Sequence, residues 1–141
     1  MKLSANFHLD EFVTSQTAAR RGIDNTPSPE VIKRLRNTAK GLERVRAVLG
    51  KPILISSGYR SPALNKAVGG SATSDHINGD AADFISPGFG TPIAICRAIV
   101  AAGIKFDQLI EEGTWVHISF GPRMRGQILT MRNGKYTAGL R

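Results

Sequence analysis

His76, Asp83 and His117 are the residues of this sequence whose types and spacing suit metal chemistry. His76 and Asp83 belong to Ser74-Asp75-His76-Ile77-Asn78-Gly79-Asp80-Ala81-Ala82-Asp83, and His117 follows in Trp115-Val116-His117-Ile118-Ser119-Phe120. Two imidazoles and one carboxylate have the ligand number and type of a catalytic zinc, which keeps its fourth position for water. Asp83 lies between Ala82 and Phe84 in a strand-like run, where an unpaired carboxylate is costly. A metal or a buried hydrogen-bond network resolves that cost. Alternation along the second run sends Trp115, His117 and Ser119 to one face and Val116, Ile118 and Phe120 to the other. The second set reads as the core face, so His117 is expected to point away from it, into a cleft.

The elements that must position these residues follow from periodicity. Leu9 to Arg20 reads as one short helix. After Asn25-Thr26-Pro27, Ser28 suits an N-cap, Pro29 the first helical position and Glu30 the positive helix end. Val31, Ile32, Leu35, Ala39, Leu42, Val45 and Leu49 then recur at helical spacing until Gly50. Pro52 to Ser57 reads as a strand that is apolar on both faces and so expected at the centre of a sheet. A turn over Gly58 to Pro62, a helical turn over Ala63 to Val68 and a loop over Gly69 to Thr73 lead into the His76 motif. Asp80 to Ile85 is the next strand, and Thr91 caps a helix running to about Ala102. Phe106 to Glu111 and Trp115 to Phe120 are strands joined through Glu112-Gly113-Thr114, while Asn133-Gly134 signals a hairpin. These elements predict one α+β domain with a small, mostly antiparallel sheet flanked by helices. Its N-terminal helices span about 9–49, its metal-site core about 53–120 and its C-terminal hairpin about 127–138.

Composition narrows the partners. A hydrophobic content of 41% and a charged content of 21% over 141 residues fit a globular chain able to bury a core. The net charge of +8 calls for an anionic partner. Basic residues are spread along the chain, aromatics make up only 6%, and no helix-turn-helix, zinc-finger or RNA-binding signature accompanies them. Nucleic acid is therefore not the expected partner, and an anionic cell-envelope surface is. No run approaches the ~18 apolar residues of a membrane span. Met1 to His8 has no apolar segment of the kind that secretory signals carry, so the expected location excludes export by that route. The one cysteine, Cys96, rules out an internal disulfide and a cysteine-based zinc site, and its apolar helical surroundings read as core.

The pattern Ser74-x-His76-x-x-Gly79-x-Ala81-x-Asp83, with Trp115-x-His117 downstream and Gly58-Tyr59-Arg60-Ser61 upstream, resembles the zinc D-Ala-D-Ala carboxypeptidase family. That family shares its fold with lysostaphin-type peptidases and hedgehog domains. The likeness runs from about Ile53 to Phe120, and the N-terminal helices resemble those of single-domain phage endolysins. It implies one Zn2+ held by His76, Asp83 and His117, the three residues already singled out. It also implies hydrolysis of an amide bond in peptidoglycan stem peptides or cross-links by a monomer kept in the host cytoplasm until lysis, or carried on the virion. D-Ala-D-Ala trimming in host wall remodelling, or wall binding without turnover, are the other expectations the resemblance leaves open.

Some relatives carry the general acid/base three residues before the second histidine. Thr114 stands there and cannot serve, so the sequence departs from those members. Others carry it five residues before, which is Glu112, with Glu111 as its neighbouring alternative. Arg60 matches the family arginine that pairs with a substrate carboxylate or stabilises a developing oxyanion. Ser74 is implied to support the site by hydrogen bonding, and Trp115 to wall the cleft.

Overall fold

A computed structural model describes residues Met1–Arg141. The first predicted helix is two: α1, Leu9–Val13, and α2, Gln16–Arg21. Thr14 and Ser15 adopt extended backbone between them, and the Ser15 hydroxyl accepts from Ala18 N to start the second. A serine near the middle of an otherwise helical pattern competes for backbone donors and restarts the helix as a cap.

The long helix α3, Pro29–Leu49, begins and ends as its caps predict. The Ser28 hydroxyl accepts from Val31 N, and Gly50 closes the helix in the left-handed conformation at φ 65°. Leu35, Ala39, Leu42 and Val45 form its fully buried stripe. Next come β1, Leu54–Ser57; α4, Pro62–Ala67; a short 3-10 helix, Asp75–Asn78; and β2, Ala81–Ile85. The remaining elements are α5, Pro92–Ala101; β3, Gln108–Glu111; β4, Val116–Ser119; β5, Gln127–Arg132; and β6, Lys135–Ala138. The result is the expected α+β architecture.

The six strands form one sheet in the order β1-β2-β4-β3-β5-β6. All pairs are antiparallel except β3 with β5. The β5–β6 turn uses Asn133 at φ 53° and Gly134 at φ 75°, the doubly left-handed pair that tight hairpins favour. β1 occupies an edge, correcting the central position its apolar residues suggested. Ile53 is buried just before the strand, whereas Leu54 is 53% exposed within it. The short α1 packs against this strand, so its apolarity is covered by a helix and not by strands on both sides.

Helices α3 and α5 cover one face of the sheet. There Ala82, Phe84, Leu109, Val116 and Ile118 meet Leu35, Leu42, Ile95 and Ile99 in a single cluster. Cys96 lies in it, and burial followed by the charge of Glu111 pushes its thiol up to about 12. No helix is long and apolar enough to cross a membrane.

Candidate metal centre

The opposite face carries the polar residues. Asp83 on β2 pairs in register with His117 on β4, so both side chains leave the sheet on the same side. His76 arrives from the 3-10 helix. The Ser74 hydroxyl accepts from His76 N at 3.2 Å and caps that turn. Gly79 ends it at φ 81°, where a Cβ would crowd Val31 and Leu35 of α3 at 3.2 Å. Thr38 donates to the Gly79 carbonyl at 2.7 Å, tying the motif to the long helix. Glycine is thus required twice over at this position, by conformation and by close approach.

His76 Nε2 lies 3.2 Å and His117 Nδ1 2.9 Å from the same oxygen, Asp83 Oδ1. The three candidate ligand atoms fall within 4.8 Å of one another. His76 Nδ1 donates to the Gly58 carbonyl at 2.6 Å, which fixes the ring and, when it is neutral, turns the Nε2 lone pair toward Asp83. Two electron-rich atoms facing each other at this distance invite a cation. A backbone acceptor behind a histidine is also the usual support of a metal-ligating imidazole. His117 is held from one side only, because its Nε2 is buried without a protein partner. Burial pushes the Asp83 carboxyl up, but when the histidines are protonated the His76 charge and the hydrogen bonds from both rings outweigh it and keep the group well below the ordinary carboxylate range. An ionised carboxylate between two imidazoles fits a zinc donor set.

The two neighbouring glutamates part company at the end of β3. Glu111 pairs in register with Val116 and so points to the helix-covered face. It is 2% exposed, ion-paired to Arg132 and bonded by Gly113 N. Glu112 lies beyond the strand and, with His117, lines a cleft of about 500 Å³. Gly113, at φ 91°, allows the turn that separates the two. Burial, then the charge of Asp83, raise the Glu112 carboxyl above its ordinary value, opposed by His117, the Trp115 hydrogen bond and Arg60. Trp115 Nε1 donates to Glu112 Oε2 at 2.8 Å. Its indole therefore holds this carboxylate.

Arg60 forms no ion pair with a carboxylate, and its Nε is buried without a partner. Burial lowers its pKa, while the charges of Asp83 and Glu112 raise it. Its backbone N–H donates to the His76 carbonyl at 3.0 Å, linking the arginine loop to the histidine loop.

Residues 5–119 match the Peptidase M15 family. The chain belongs to that family. It is a metallopeptidase, and the family's dependence on zinc agrees with the donor set of His76, Asp83 and His117. Peptidoglycan-like substrates are consistent with the family. No curated protein matches the chain.

Sequence reasoning missed three supports of this peptidase's site. Gly58 accepts from His76 and has no room for a side chain, since a Cβ would meet the Phe12 backbone at 2.7 Å. Asn25 donates to the carbonyls of Val13 and Tyr59 and accepts from Ser61 N, which fixes the Arg60 turn. Tyr136 lines the Glu112 cleft from the far end of the sheet. Tyr136 carried a signal as an aromatic on the hairpin flank and Gly58 as part of the arginine motif, but the contacts of Gly58 and Asn25 run to backbone atoms and rings of distant segments.

Proposed function

We propose that this peptidase hydrolyses an amide bond in the stem peptides or cross-links of bacterial peptidoglycan and serves in cell lysis as a phage endolysin. The observation that carries the reading is a half-buried Glu112 carboxylate, without an ion-pair partner, lining the same cleft as His117 of the His-Asp-His donor set. His76 Nε2, Asp83 and His117 Nδ1 would hold the zinc. When bound, the metal supplies Lewis-acid polarisation of the scissile carbonyl and makes a water acidic enough to react near neutral pH. Glu112 takes the proton of the attacking water and returns it to the departing amine nitrogen. Its Oε2 is engaged by Trp115, so Oε1 is the atom left for proton transfer. Arg60 offers its fork of donors to a substrate carboxylate or to the developing oxyanion.

The lytic role draws on the charge. Of the basic residues, only Arg34, Arg123, Arg125 and Arg132 are ion-paired with carboxylates. The rest of the +8 surface is available to an anionic envelope once the inner membrane is breached.

Purified peptidoglycan digested with wild type, Glu112→Ala and chelated protein, followed by mass spectrometry of the fragments, tests the proposal. The expected product is a new amine and a new carboxylate at one defined peptide bond, lost in both controls. Walls of several bacterial types left uncut by zinc-loaded wild type would overturn it.

A further inference from the structure

The metal centre sits in the middle of a track across the sheet. Ser57, Asp83, His117, Ile110 and Leu129 are partners in register on five successive strands and share one face. A cleft opens on each side of the centre. On the β1 side, about 470 Å³ is enclosed by the α1–α2 corner, the end of β1 and Arg60, with Asp83 in its wall. On the β3 side, about 500 Å³ is enclosed around Glu112 and Tyr136, with His117 in its wall. Both volumes fall in the range of ~300–1,000 Å³ that small-ligand sites occupy. A peptide lying across the centre therefore has comparable room before and after the bond to be cut.

The two clefts differ in charge. Arg20 and Arg60 line the first, and neither is ion-paired with a carboxylate. Its one acid, Asp83, is committed to both histidines. The second cleft holds Asp75 and Glu112 against Arg123 and Arg125, and both of those arginines are already paired with Asp107. Ser57 and Tyr59 also line the first cleft and bring neutral hydroxyls to it, whereas the Thr14 hydroxyl is spent on the Asp10 carbonyl. An anionic group on the substrate is thus favoured in the first cleft and meets no free cation in the second.

We propose that the substrate chain runs through both clefts, so that cleavage is internal, and that Arg20 is a specificity residue that, with Arg60, binds a substrate carboxylate in the first cleft. This rests on the peptidoglycan peptidase reading. Arg20 is exposed, so its replacement does not disturb the core.

The probes are cross-linked stem peptides carrying the D-glutamate carboxylate either free or amidated. They are titrated into zinc-loaded protein in a Glu112→Gln background, which keeps them intact. The free carboxylate is expected to bind about three- to fivefold more tightly than the amide, the scale of a partly exposed ion pair. Arg20→Glu removes that preference, and Arg20→Lys retains part of it. Equal binding of the two peptides, or a preference that survives Arg20→Glu, overturns the carboxylate subsite.

Zinc-loaded wild type is then given the same peptides blocked at both ends. An internal cut supports the two-cleft path, and cutting confined to peptides with a free carboxyl terminus beside the bond overturns it. No cut in any peptide sinks the peptidase reading and the internal-cleavage half together. The carboxylate subsite is decided by the titration alone, which separates the two failures.

Discussion

Asp83 and Phe84 are neighbours on one strand, yet they face environments built on opposite terms. Phe84 is fully buried against the helices, in a cluster whose few polar neighbours are satisfied: Ser86 donates to Pro52, and Glu111 is held by Arg132. Across the sheet, the side of Asp83 gathers the buried polar atoms that lack partners, namely Arg60 Nε, Asn65 Oδ1, His117 Nε2 and Ser119 Oγ. Buried polar groups in folded chains are nearly always paired, so a concentration of unpaired ones marks a surface shaped for a ligand and not for stability. One face supplies the folding energy and the other spends it on unmet donors and acceptors.

The sharpest way to break this comparison is to truncate the two neighbours separately. Asp83→Ala is expected to abolish retention of zinc through dialysis, and hydrolysis with it, because the carboxylate is the atom common to both histidines. Its cost to the urea midpoint of the metal-free protein should be smaller than that of Phe84→Ala, because it unpairs the two histidines but opens no cavity in the core. Phe84→Ala should cost ~3–5 kcal/mol in urea unfolding through the cavity it leaves, with zinc still bound by the folded fraction. Metal analysis and unfolding curves on the same samples decide it. Equal stability losses in the two variants would mean that the faces are not divided as described.

The same division runs between Glu111 and Glu112. Glu112→Gln should lower kcat by ~10²–10⁴-fold, the contribution of a positioned general base, while leaving the urea midpoint near wild type. Glu111→Gln should do the reverse. It weakens a buried ion pair with Arg132 and is expected to cost ~1–3 kcal/mol of stability, with kcat changed little. A large kcat loss in Glu111→Gln with normal stability would reassign the base.

Most of the candidate site was legible because its candidate ligands are local. Two lie seven residues apart in one motif, and the third sits on a strand whose alternation already turned it from the core. The long helix was equally legible, since Ser28, Pro29 and Gly50 mark its ends without help from tertiary contacts. The edge position of β1 was not. Ile53 and Ile55 on one face and Leu54 on the other make the run look buried on both sides, but the cover comes from α1, a contact no spacing rule encodes. The split of the first helix hid for a related reason: Ser15 is tolerated in a helix and became a cap only once Thr14 left helical geometry. The choice between the glutamates was in fact present in the alternation of β3. Glu111 shares the face of Val116, opposite His117, and only the register between β3 and β4 makes that visible.

The finest test of the divided sheet concerns Trp115, which belongs to the site side and acts through another residue. Its indole N–H stabilises the charged form of Glu112, against burial and the charge of Asp83, which favour the neutral form. A general base works when ionised, so kcat/KM should climb with pH through the Glu112 pKa, which burial and the charge of Asp83 raise above its ordinary value. Trp115→Phe keeps most of the ring but removes the donor. With one stabiliser of the anion gone, that rising limb should move to higher pH by about half to one pH unit, as expected for a hydrogen bond of ~1 kcal/mol. On the plateau above the limb, where Glu112 is ionised in both proteins, the rates should converge. A uniform fall at every pH would make the indole a packing group that shapes the cleft, and an unmoved limb would mean that the titrating base is not the carboxylate it holds.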